Sequence, residues 1–101
     1  MFKARIEVTL KSKILDPQGK AIESSLRNLG FTKLGGVRTG KNIDISVDES
    51  DVQRATALVQ SACTKLLANP VTEEYECELF DEAGKTLTKF SSRQPKGKTT
   101  P

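Results

Sequence analysis

The chain has 101 residues, 36% of them hydrophobic and 29% charged, with a formal net charge of +3, which is the make-up of one ordinary globular domain. It contains no histidine, so a His general base, a Ser-His or Cys-His nucleophile pair and a His metal ligand are all excluded. Cys63 and Cys77 are too few for a cysteine-rich zinc site or a disulfide framework, and no apolar run approaches the roughly 20 residues that span a bilayer.

Phe2, Ala4, Ile6, Val8 and Leu10 alternate strictly with Lys3, Arg5, Glu7 and Thr9. That period of two predicts a strand with one buried face. After the polar break Lys11-Ser12-Lys13, Asp16-Pro17 opens a helix. Asp16 caps it, and Pro17 suits a first helical position, where its missing N–H loses nothing. Ala21, Ile22, Ser25, Leu26 and Leu29 recur at helical spacing, and Gly30 fits the left-handed position just past the end, so the helix is expected over 17–29.

Residues 31–39 read as a second, weaker strand interrupted by Gly35-Gly36, with Gly40-Lys41 as a tight turn into a third strand carrying Ile43, Ile45 and Val47. Ser50-Asp51-Val52-Gln53 matches a capping box. Val52, Ala55, Val59, Ala62, Cys63 and Leu66 line one face of the second helix, which Asn69-Pro70 ends. Residues 71–80 form the fourth strand, with Tyr75, Cys77 and Leu79 inward and Glu74, Glu76 and Glu78 outward. Residues 81–85 read as a turn, 86–90 as a possible short further strand, and 91–101 as a disordered tail.

The order β-α-β-β-α-β with right-handed crossovers predicts an α+β, ferredoxin-like two-layer sandwich: an antiparallel sheet in the order 4-1-3-2 with two helices on one face. The domain is expected over 1–80, followed by a C-terminal extension over 81–101. The pairing sets the Glu74, Glu76 and Glu78 row against Lys3 and Arg5.

Several motifs have plain structural readings. Gly35 to Asn42 resembles the phosphate-binding pattern GxxxxGK[ST], but Asn42 replaces the hydroxyl residue and a strand follows where a helix is required. Both cysteines fall on inward faces and read as small buried hydrophobes. Alternating carboxylates on the fourth strand read as a solvent face. An RNA-recognition module shares this strand order, yet the third strand here has no aromatic to stack a base. Residues 1–80 hold 11 basic and 11 acidic side chains and are neutral. The positive excess belongs to 81–101, where Lys85, Lys89, Arg93, Lys96 and Lys98 face only Asp81 and Glu82. A neutral domain suits protein partners better than a phosphate backbone, so neither nucleic acid nor membrane is expected as a partner. Met1 to Arg5 lacks the apolar segment of a secretory signal, and the expected compartment is the cytoplasm.

Three stretches together resemble one family: Val8 to Lys11 leading to Leu15-Asp16-Pro17-Gln18-Gly19-Lys20-Ala21; Leu29-Gly30-Phe31 leading to Val37-Arg38-Thr39-Gly40-Lys41; and Cys63 to Val71 with Tyr75. They are similar, in order and spacing over about residues 2–80, to the PurS subunits of phosphoribosylformylglycinamidine synthase. The resemblance implies a small subunit of a complex that makes formylglycinamidine ribonucleotide in purine synthesis. In that complex a PurQ glutaminase supplies ammonia and a PurL synthetase uses ATP and magnesium. The small subunit carries no catalytic centre, binds no cofactor alone and no metal, self-associates to a dimer or tetramer, and bridges PurL and PurQ. The matching residues Asp16, Gln18, Lys20, Arg38, Gly40 and Lys41 are then the candidate subunit contacts. The alternative function is a regulatory ferredoxin-like (ACT-type) domain that binds a small metabolite at a dimer interface.

Overall fold

The computed structural model describes residues 1–92. Its elements are β1 (Phe2–Leu10), α1 (Pro17–Asn28), β2 (Gly40–Val47), α2 (Val52–Ala62), a π-type turn (Cys63–Leu67), β3 (Glu73–Phe80) and β4 (Thr86–Ser91). One antiparallel four-stranded sheet runs in the order β2-β1-β3-β4.

The alternation in β1 does what period two requires. Ala4, Ile6 and Val8 are buried while Lys3, Arg5 and Glu7 are exposed. β1 is central, with Ile6 opposite Ile43 on β2 and opposite Cys77 on β3. The core gathers Ala4, Ile6, Val8 and Val47 from one side, Tyr75, Cys77 and Leu79 from β3, and Ala55, Val59 and Cys63 from the helical layer. Both thiols are free and buried. On the outer face Arg5 stands opposite Glu78 but ion-pairs with Asp44 at 3.1 Å, and its guanidinium lies 5.8 Å from the centre of the Phe80 ring. Glu7 stands opposite Glu76. Of the expected facing charges, then, only Arg5 and Glu78 share a register position, without an ion pair between them; Lys3 stands opposite Phe80.

Four features differ from the sequence reading. Residues 31–39 form no strand. Gly36 adopts a left-handed φ of 64°, and the amides of Val37 and Thr39 donate to the carboxylates of Glu23 and Asp16 instead of to a neighbouring strand. The hairpin turn expected at Gly40-Lys41 is absent as well: Gly40 is the first residue of β2 and pairs with Thr9. β2 is thus an edge strand, and β4, pairing with β3, supplies the fourth.

The cap of α2 is Asp51, not Ser50. Its side chain accepts from the Arg54 amide, and Glu49 accepts from the amides of Ser50 and Asp51. β3 begins at Glu73, not Val71. Asn69 builds a turn first: its carbonyl accepts from the Glu73 amide at 2.7 Å and its side chain from the Val71 amide at 2.9 Å.

The two helices behave differently. α2 lays Ala55 and Val59 into the core. Beyond Ala62 the backbone widens, and the Ala68 amide donates to the Cys63 carbonyl at 3.1 Å, one residue further than an α-helix reaches. The extra residue shifts the helical phase. Leu66, expected on the apolar stripe, is 82% exposed, while Leu67 packs against the core and Ala68 is buried. α1 buries only Gly19. Ile22, Leu29 and Phe31 stay open, with Phe31 52% exposed. Among the described residues, no helix is long and apolar enough to cross a membrane.

Candidate functional site

The two sequence stretches around Asp16 and Arg38 meet in one junction. Asp16 is buried at the start of α1, where its Oδ1 accepts from the Gly19 amide at 2.9 Å and caps the helix. The same carboxylate accepts from the Thr39 amide at 2.6 Å and from the Thr39 hydroxyl at 3.0 Å. These donors, Thr39's amide first and Gly19's next, hold the carboxyl below the usual range against the opposing effect of burial, and the Arg38 charge adds to them.

Arg38 closes the junction from outside. One guanidinium nitrogen, Nη2, donates to the carbonyls of Leu10, Lys11 and Ile14 at 3.3, 2.9 and 3.1 Å. These carbonyls line the loop between β1 and α1, so the arginine fastens that loop to the entry of β2.

Two glycines are fixed by contact. A Cβ on Gly19 would stand 2.6 Å from the Val37 carbonyl and 2.8 Å from Asp16 Oδ2. A Cβ on Gly40 would stand 2.6 Å from the Val8 carbonyl. Both positions admit only glycine without a backbone shift.

Of the candidate contacts, Asp16, Arg38 and Gly40 therefore serve the junction itself. Gln18, Lys20 and Lys41 are exposed, and among the described residues no hydrogen bond or ion pair forms on their side chains. Two junction residues escape a reading by sequence alone: Thr39, and Glu23, whose Oε1 accepts from the Val37 amide at 3.2 Å. The available signal was spacing. Glu23 lies one helical turn after Gly19, so both share the face of α1 turned to residues 37–39.

Burial holds both core thiols toward the protonated form, pushing Cys77 up to about 12 and raising Cys63. Among the described residues no group of three or more Cys, Asp or Glu side chains is arranged to hold a metal ion.

The model of the family described as PurS, phosphoribosylformylglycinamidine (FGAM) synthase, matches residues 3–81. The chain belongs to the PurS family. It is 38% identical over 79 residues to the PurS subunit of Bacillus subtilis, covering 78% of this chain and 93% of that one. It is 40% identical over 76 residues to the PurS subunit of Thermotoga maritima, covering 75% of this chain and 93% of that one. Among solved structures, a PurS crystal form from B. subtilis superposes with a TM-score of 0.71 at 36% identity, covering 80% of this chain and all of that one. A chain in the structure of PurLQS from T. maritima gives a TM-score of 0.72 at 38% identity, covering 78% of this chain and 96% of that one. The PurS match ends at Asp81, so β4 lies beyond it.

Proposed function

We propose that this chain is the small structural subunit of a phosphoribosylformylglycinamidine synthase, bridging a PurQ glutaminase and a PurL synthetase in purine synthesis, with no catalytic centre of its own. The observation that carries this reading is the PurS match over residues 3–81, joined to the likeness to a chain in the PurLQS structure. The chemistry of the chain supports it: 101 residues without histidine, and two thiols shut in the core and pushed toward the protonated form. ATP and magnesium belong to the complex and are not bound by this chain alone.

Gln18, Lys20 and Lys41 are the contacts with partner subunits, because their side chains are exposed and the fold makes no use of them. Asp16, Arg38 and Gly40 act behind them, fixing the loops on which they stand. The apolar residues that α1 leaves open, Ile22, Leu29 and Phe31, are the surface that a second copy covers. The domain comprises residues 1–80, with 81–101 as an extension. Two free thiols suit the reducing cytoplasm.

The test is reconstitution. Purified PurL and PurQ from the same source are assayed for glutamine-dependent FGAM formation with and without this chain. The reading requires that the chain raise the glutamine-dependent rate and co-migrate with both partners on native mass measurement. An identical rate in its absence sinks it.

A further inference from the structure

β4 is an addition to the family core. The PurS match stops at Asp81, five residues before β4 begins. β4 reaches β3 through a tight turn in which the Asp81 amide donates to the Lys85 carbonyl and Gly84 takes a left-handed φ of 88°.

Its fit to β3 is specific in three ways. Backbone pairing runs from Phe80 opposite Thr86 to Glu76 opposite Ser91 and continues at Ser92, whose amide donates to the Tyr75 carbonyl at 3.0 Å while its hydroxyl accepts from the Tyr75 amide. On the inner face, Phe90 lies opposite Cys77 and meets the Tyr75 ring edge-on, with centroids 6.3 Å apart. On the outer face, β4 sets a hydroxyl and one lysine against Glu78: Thr86 Oγ1 donates to it at 2.6 Å, and Lys89 Nζ stands 4.0 Å from the same carboxylate. An edge carrying Glu74, Glu76 and Glu78 repels an acidic strand and accepts one whose outer face offers hydroxyls and a lysine.

We propose that the outer edge of β3 is a docking site for one extended segment that turns an aromatic inward and hydroxyls with a lysine outward, and that residues 86–92 are its tethered, detachable occupant. β4 then covers the edge of a core that stands without it. When β4 leaves, the edge opens to a strand of the same character: an aromatic residue facing in and cationic or hydroxyl residues facing out.

Amide hydrogen exchange on the full chain and two proline variants tests this. Phe90 sits two places from the hydrogen-bonded Ser92–Tyr75 pair, so its amide faces β3, whereas the Lys89 amide faces away. Phe90→Pro is expected to speed exchange at Tyr75 and Cys77 tenfold or more while the Ile6 and Val8 amides stay protected. Lys89→Pro is expected to leave both sets protected, as edge-strand proline on the solvent side does. A synthetic peptide of residues 85–92, added to the Phe90→Pro chain at millimolar concentration, matches the effective concentration of a short tether and is expected to restore protection. The same peptide with Lys89→Glu is expected to restore less.

Three results each overturn the proposal. In the first, Phe90→Pro loses protection throughout the sheet while Lys89→Pro keeps it, which makes β4 part of the fold. In the second, Phe90→Pro leaves Tyr75 and Cys77 as protected as before. In the third, the peptide fails to restore protection or its Lys89→Glu form restores it equally.

Discussion

The carboxylate of Asp16 and the backbone amide of Thr39 lie 2.6 Å apart, although 23 residues separate them in the chain. That one bond ties the start of α1 to the entry of β2, and the same carboxylate also caps the helix at Gly19. Asp16→Ala is expected to remove both functions and leave the Thr39 amide without its partner. Thermal unfolding should show Tm lower by roughly 5 °C or more. An unchanged Tm would show that water replaces the carboxylate fully.

The same group sets a pH dependence. Its carboxyl is held below the ordinary value of 3.8 in the folded chain. A depressed acid contributes stability that is fully present above its unfolded pKa and is lost as pH falls through its folded pKa. Glu49, lowered chiefly by the Ser50 and Asp51 amides, acts in the same direction. Stability is therefore expected to hold on acidification to about pH 5 and to fall below the ordinary carboxylate range. In Asp16→Asn that fall should be shallower, as measured by denaturant titrations at stepped pH.

Arg38 and Lys41 belong to one sequence stretch and are expected to separate cleanly. Arg38→Ala removes three hydrogen bonds to the carbonyls of the β1–α1 loop and should lower stability by about 1 kcal/mol. Lys41→Ala removes no hydrogen bond or ion pair among the described residues and should leave Tm within error while weakening co-migration with PurL and PurQ. Chemical denaturation paired with native mass of the mixed subunits reads both effects.

The glycines make a contrast of their own. Gly40→Ala drives a Cβ against the Val8 carbonyl and should cost about 1–3 kcal/mol. Gly35→Ala meets no atom within 4 Å and should change stability by less than about 1 kcal/mol, in the stabilising direction if at all.

Both thiols should be silent in the native chain. With Cys77 pushed up to about 12 and Cys63 raised, neither is expected to react with a disulfide reagent at pH 8 until denaturant is added. A fast-reacting native thiol would show that the β3 face of the core opens readily.

The central strand, the two helices and the inward faces of β1 and β3 were legible because each is a local pattern: alternation in residues 2–10, Asp16-Pro17 before a helical stripe, Tyr75, Cys77 and Leu79 at period two. Residues 31–39 were not. Whether a segment of middling apolar character joins a sheet depends on where its amides find acceptors, and here Glu23 and Asp16 supply them from another element. The role of Arg38 was hidden for the same reason, since its acceptors are backbone carbonyls that no side-chain pattern marks. Leu66 was misplaced because a helical wheel assumes one constant pitch, which the widened turn at 63–67 breaks.

That widened turn holds one residue of slack between α2 and the Asn69 turn that launches β3. Removing Thr64 or Lys65 is expected to let the helix close at normal pitch, with Leu67 then three places after Cys63 on the buried stripe and Leu66 still outward. The turn thus absorbs one surplus residue, and a single-codon deletion at 64 or 65 is expected to leave the register of β3 on β1 intact.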